Sequence, residues 1–261
     1  MEIPFYQIDA FTSELFRGNP AAVCILDAWL DESRMQNIAT ENNLSETAFL
    51  VPADDGFELR WFTPTTEVAL CGHATLASAF VLFELLQWSG ESISFHTRNS
   101  GTLLVSRQGS RLELDFPSAP VIPIACTPGL EQALGIYSEE AYSAGEDVMV
   151  VLKEERQVRE LQPDMVLLRG IECRGVIVTA PGDQSDFVSR FFCPQVGINE
   201  DPVTGSAHCA LTPFWSRRLK KSELHAFQVS PRGGELFCQD RVERVRIAGN
   251  AVLYLQGTIT I

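Results

Sequence analysis

His73 and Ser206 hold matching places in two similar segments of this chain, one behind Cys71-Gly72 and the other behind Thr204-Gly205. An imidazole gives or takes a proton near neutral pH, and a serine hydroxyl can hold an anion. Two carboxylates join them: Glu46, in Asn43-Leu44-Ser45-Glu46-Thr47-Ala48-Phe49, and Asp201, in Glu200-Asp201-Pro202-Val203-Thr204-Gly205-Ser206-Ala207-His208. Carboxylates are a residue type that general acid–base chemistry uses. Taken singly, each residue also has an ordinary structural reading: a satisfied core histidine, a solvated glutamate, an aspartate capping a turn.

The elements that carry these residues repeat. Arg60-Trp61-Phe62-Thr63-Pro64 precedes Cys71-Gly72-His73-Ala74, and Arg190-Phe191-Phe192-Cys193-Pro194 precedes Thr204-Gly205-Ser206-Ala207. The prolines lie 130 residues apart and the glycines 133, half of the 261-residue chain, which predicts two similar halves. Gly72 to Leu86 is apolar all round and predicts a helix buried at the centre of its half. Gly205 to Leu219 is its counterpart, with Pro213 expected to kink or shorten it. A glycine at such a start leaves the first backbone N–H groups uncovered, and the helix dipole favours negative charge there. Two such starts facing one cleft would hold a carboxylate or a developing enolate.

Alternation predicts most of the remaining structure. Ser92–Thr97, Gly101–Arg107 and Arg111–Phe116 read as a meander of half-buried strands separated by turns. Ala48–Val51 reads as a strand directly after Glu46, and Phe227 to Ile261 as further strands with a turn at Arg232-Gly233-Gly234. Asp31 is the expected N-cap of a helix over Glu32–Asn42 that buries Met35, Ile38 and Ala39. Thr127-Pro128 opens a short helix that ends at Gly135.

Composition narrows the function. A net charge of −14 repels phosphate backbones and anionic lipid heads, so neither nucleic acid nor a membrane is an expected partner. No signal peptide or spanning segment is read, and seven cysteines without a C-x-x-C imply free thiols in the cytoplasm. Four histidines without paired ligand spacing disfavour a catalytic metal, and no dinucleotide or P-loop motif occurs.

Gly18-Asn19-Pro20-Ala21-Ala22-Val23, the 43–49 string, Phe62-Thr63-Pro64-Thr65, Cys71-Gly72-His73-Ala74-Thr75-Leu76-Ala77-Ser78 and the string from Glu200 to Cys209 together resemble the PhzF family of phenazine biosynthesis-like isomerases. Phe5-Tyr6-Gln7-Ile8-Asp9-Ala10-Phe11 and Arg232-Gly233-Gly234-Glu235-Leu236 extend the resemblance over the whole chain. It implies an α+β, diaminopimelate epimerase-like fold of two pseudo-symmetric halves, 1–118 and 119–261, the last strand able to pack back on the first. Each half would wrap a mixed, mostly antiparallel sheet around a central helix, with the active site in the cleft between them. It further implies a cofactor-independent isomerase, often dimeric, acting on a small carboxylate-bearing substrate. By motif, Glu46 is the general acid/base, assisted by His73 and Asp201, and Ser206, Gly72, Gly205, Thr204 and Asn19 surround the substrate.

Two other readings compete. Diaminopimelate epimerase and proline racemase use two opposed cysteines; Cys71 fills the first position but Thr204 the second, and a hydroxyl is too weak an acid for that role. Cys71 is then expected to be a spectator at a packed helix start. A catalytically silent binding or scaffold protein on the same fold is the third reading. Val68-Ala69 and Pro231 depart from the family pattern and leave the substrate open.

Overall fold

The computed structural model describes residues 1–138 and 140–261. The chain forms two compact units, Met1–Asp115 together with Ala248–Ile261, and Phe116–Ile247. In the first, strand Glu2–Ala10 pairs antiparallel with both the C-terminal strand Ala251–Thr260 and Asn19–Ile25. Asn19–Ile25 runs parallel to Glu46–Ala53, which turns back into Gly56–Phe62. Gly56–Phe62 meets the short strand Glu67–Val68 antiparallel and Ser92–Thr97 parallel. The predicted meander completes the sheet, its last two strands at Thr102–Gln108 and Arg111–Pro117.

The second unit repeats these steps. Asp147–Val151 pairs antiparallel with Glu140–Ala144 and parallel with Val176–Pro181, which turns back into Phe187–Cys193. Phe187–Cys193 meets the short strand Ile198–Asp201 antiparallel and Glu223–Gln228 parallel, and Glu223–Gln228 pairs with Gly234–Asp240. In both units the apolar helix follows the short strand and precedes the parallel one, so the sequence repeat is a repeat of topology.

Helix Gly72–Phe80 is buried from His73 through Ala79 and packs on strands Glu2–Ala10, Asn19–Ile25 and Glu46–Ala53. Its polar residues tolerate this because Thr75 and Ser78 return their hydroxyls to the carbonyls of Cys71 and Ala74, one turn back. Beyond Phe80 the helix widens into a π turn over Val81–Leu85, where the Leu86 N–H reaches the Val81 carbonyl.

Pro213 sits inside helix Gly205–Leu219 and does not shorten it. Proline deprives the carbonyl four residues back of its partner. That carbonyl, of Cys209, accepts the backbone N–H of Ala119 at 3.0 Å instead, so no acceptor is orphaned. The other expected caps stand as read: Asp31 accepts the Arg34 N–H, Thr127 accepts the Leu130 N–H, and Gly135 closes its helix left-handed.

The repeated arginines do equivalent work. Arg60 forks onto Glu67 at 2.7 Å twice and lies 5.2 Å from the Phe62 ring. Arg190 forks onto Glu200 at 2.7 and 2.8 Å and lies 4.8 Å from the Phe192 ring. Each clamp ties the long strand to the short one that leads into the helix start. No helix among the described residues is long and apolar enough to cross a membrane.

Candidate active site

In the first unit the strand pairing itself gathers the site. Gly18 turns the chain into strand Asn19–Ile25 at φ 64°, where a Cβ would stand 2.1 Å from the Ala10 carbonyl oxygen, so only glycine fits. Asn19 therefore starts its strand fully buried. In the parallel register Ala21 faces Glu46, which brings Ser45 and Glu46 beside it. Glu46 is the first residue of its strand, earlier than the predicted start at Ala48.

The helix start supplies the other side. Cys71, in extended conformation, is the N-cap, and its side chain does not cap. His73 is buried, with Nε2 3.0 Å from Oε2 of Glu46. The approach is off the N–H direction, and neither atom makes a well-aligned hydrogen bond. Nδ1 of His73 lies 3.1 Å from Nδ2 of Asn19 and 3.5 Å from Sγ of Cys71. The Ser45 hydroxyl donates to Oδ1 of Asn19 at 3.1 Å. Asn19, expected beside the substrate, thus bears on the imidazole, and Cys71 touches the ring rather than merely filling space.

Burial pushes the Cys71 thiol up to about 11, with the Glu46 charge adding to the effect. Burial would lower His73, but Cys71 and Glu46 outweigh it and hold the imidazole above the ordinary histidine range. Ligand atoms of Glu46, Cys71 and His73 also lie within 4.8 Å of one another. Within this group His73 sets Nε2 beside the carboxylate and Nδ1 beside the thiol and the Asn19 amide.

The second unit presents Asp201, at the end of its short strand, and Ser206, in the first turn of its helix. The Thr204 hydroxyl donates to Oδ2 of Asp201 at 2.6 Å and therefore does not cap its own helix. Gly72 and Gly205 thus open helices whose N-caps leave the first N–H groups without a side-chain acceptor. Ser206 Oγ accepts from Nη2 of Arg174 at 3.0 Å, which leaves the serine proton for another acceptor. Arg174 is itself held by Asp147, at 2.9 and 2.5 Å, and by the Phe191 ring. His208 donates from Nδ1 to the Thr204 carbonyl at 2.8 Å, and burial lowers its pKa to about 4, so it is neutral.

Sequence reasoning passed over Arg174, Asp147, Ser45 and Gln228. Gln228 carried a signal: strand Glu223–Gln228 buries alternate residues Leu224, Ala226 and Gln228, and a glutamine in a buried register needs partners. Nothing in the local sequence marks Arg174.

Two units of one topology, each setting a helix start beside candidate acid–base groups, define the epimerase-like α+β class. The crystal structure of a hydroxyproline epimerase from Agrobacterium vitis shares this fold at TM-score 0.66 and 11% identity, covering 99% of this chain and 92% of that one. Residues 8–257 match the PhzC-PhzF, or phenazine biosynthesis-like protein, family, and the chain belongs to it. An uncharacterized isomerase of Pseudomonas aeruginosa is 53% identical over 259 residues, 99% of each chain. The crystal structure of a PhzF-family protein from Enterococcus faecalis matches at TM-score 0.97 and 50% identity, covering 100% of both chains.

Proposed function

We propose that this protein is a PhzF-like isomerase that shifts a proton between two carbons of a small carboxylate-bearing substrate without a cofactor. The observation that carries the reading is the buried contact between Oε2 of Glu46 and Nε2 of His73, two acid–base atoms at 3.0 Å that no protein group satisfies with good geometry. A carboxylate so placed takes a proton from carbon; the electron pair moves into the adjacent conjugated system, and the same carboxyl returns the proton to another carbon. No electrons are gained or lost overall. His73 supports the carboxylate and the developing anion. Asp201 and Ser206 are assigned to substrate holding, Ser206 as donor to an anionic oxygen and Asp201 as acceptor. A two-cysteine reaction is disfavoured: the Cys71 thiol is held near 11, and the Thr204 hydroxyl is committed to Asp201.

The test is proton NMR in D₂O with wild type and Glu46→Gln against dihydro-hydroxyanthranilate, proline, hydroxyproline, diaminopimelate and related small acids. Wild type is expected to wash deuterium into one compound. Glu46→Gln should do so at least about 10²-fold more slowly. An unchanged rate in a folded Glu46→Gln variant overturns the assignment of the base.

A further inference from the structure

Gln228 is buried to 1% exposure, and the directions of its hydrogen bonds leave no ambiguity. Its Oε1 accepts the backbone N–H of Thr204 at 2.8 Å, and its Nε2 donates to the backbone carbonyl of Asp201 at 2.7 Å. A backbone N–H only donates and a carbonyl only accepts, so the amide can be oriented in one way. The second Nε2 proton goes to Thr204 Oγ1 at 3.1 Å. That oxygen now accepts from Gln228, so its own proton is directed to Oδ2 of Asp201, 2.6 Å away. A chain of donors runs from Gln228 through Thr204 to the Asp201 carboxylate, and the same amide clips both ends of the intervening turn. Nearby, Ser230 Oγ donates to the Pro202 carbonyl at 2.8 Å, fixing the middle of that turn to the same strand end.

We propose that Gln228 is a positioning residue for Asp201, acting through Thr204: it fixes the polarity of the Thr204 hydroxyl and so holds Asp201 as an oriented, hydrogen-bonded carboxylate. Thr204 is on this account a relay rather than a substrate ligand. The proposal rests on the reading above in which Asp201 takes part in the reaction, but its main readout does not need a substrate.

The test follows the Asp201 carboxyl carbon by ¹³C NMR as pH is lowered, in the full-length wild type and in Thr204→Val, Thr204→Ser, Gln228→Met and the Thr204→Val/Gln228→Met double variant. Loss of a donor to the charged form raises a carboxyl pKa, so Thr204→Val should raise the Asp201 midpoint by about one unit and Gln228→Met by about half a unit. Thr204→Ser should restore the wild-type value, and the double variant should shift no further than Thr204→Val alone, because the two act in series. Deuterium exchange in Gln228→Met should fall about tenfold. Additive shifts in the double variant, or an Asp201 midpoint indifferent to Thr204→Val, overturn the relay. If Gln228→Met does not fold, an Asp201 midpoint unmoved in Thr204→Val still overturns the relay. Wild type without exchange activity would count against the isomerase reading, while the titration would still settle the role of Gln228.

Discussion

Nε2 of His73 stands 3.0 Å from Oε2 of Glu46, at a slant that gives neither atom an aligned hydrogen bond. The pair is electrostatically coupled: Cys71 and this carboxylate together lift the imidazole above the ordinary histidine range despite burial. If the charged imidazole assists the reaction, kcat should fall as pH rises through that lifted pKa. His73→Asn should lower kcat by about 10²-fold and lose the alkaline limb of its profile. A pH profile identical in the two proteins would refute the role.

Cys71 shares the imidazole but not its readiness to ionise. With its thiol held near 11 and 7% exposed, it should react with iodoacetamide at pH 7.5 far more slowly than a free thiol. Cys71→Ala should keep deuterium exchange within about threefold of wild type. A loss comparable to that of Glu46→Gln would return the thiol to the chemistry.

The clamp between Arg190 and Glu200 is buried on both sides, with 10% and 14% side-chain exposure. Nη1 of Arg190 also donates to the carbonyls of Val158 and Leu161 at 3.2 and 2.7 Å. Arg190→Met should cost about 3–5 kcal/mol in urea unfolding, because it strands the Glu200 charge. Adding Glu200→Leu should recover part of the loss, the remainder reflecting the orphaned carbonyls. A single variant as stable as wild type would show that the clamp contributes nothing.

His208 makes the protein sensitive to mild acid. Its folded pKa of about 4 lies below the 6.5 of an ordinary histidine, so between these values the unfolded chain binds the extra proton. Stability contributed by this group is therefore present above pH 6.5 and is lost as pH falls toward 4, by roughly 3 kcal/mol at most. His208→Gln should flatten the stability–pH curve in that window. An equal slope in wild type and variant would contradict the buried neutral state.

The legible parts of this protein were those governed by neighbours in sequence. Alternation set the meander, the Asp31 and Thr127 caps set two helices, and the 130-residue offset announced two units of one topology. The candidate acid–base residues were legible as strings shared with a family, each string being a local device: a glycine turn before Asn19, a helix start at His73, a turn from Asp201 into Gly205. Local pattern could not show why Pro213 leaves its helix unshortened, because the partner that replaces its missing N–H, Ala119, is remote in sequence.

Tertiary structure alone decided what each side chain touches. Asn19 and His73 are 54 residues apart and meet because a parallel strand and a buried helix start share one end of the sheet. Arg174 reaches Ser206 across 32 residues, and Gln228 reaches Thr204 across 24. Hydrogen-bond direction and burial depend on those distant partners, and with them the proton inventory of the site: which hydroxyl donates, which histidine is charged and which thiol is silent. The order of residues determined the scaffold and the candidate atoms, while packing assigned their protons, because desolvation and donor geometry exist only once the chain has closed on itself.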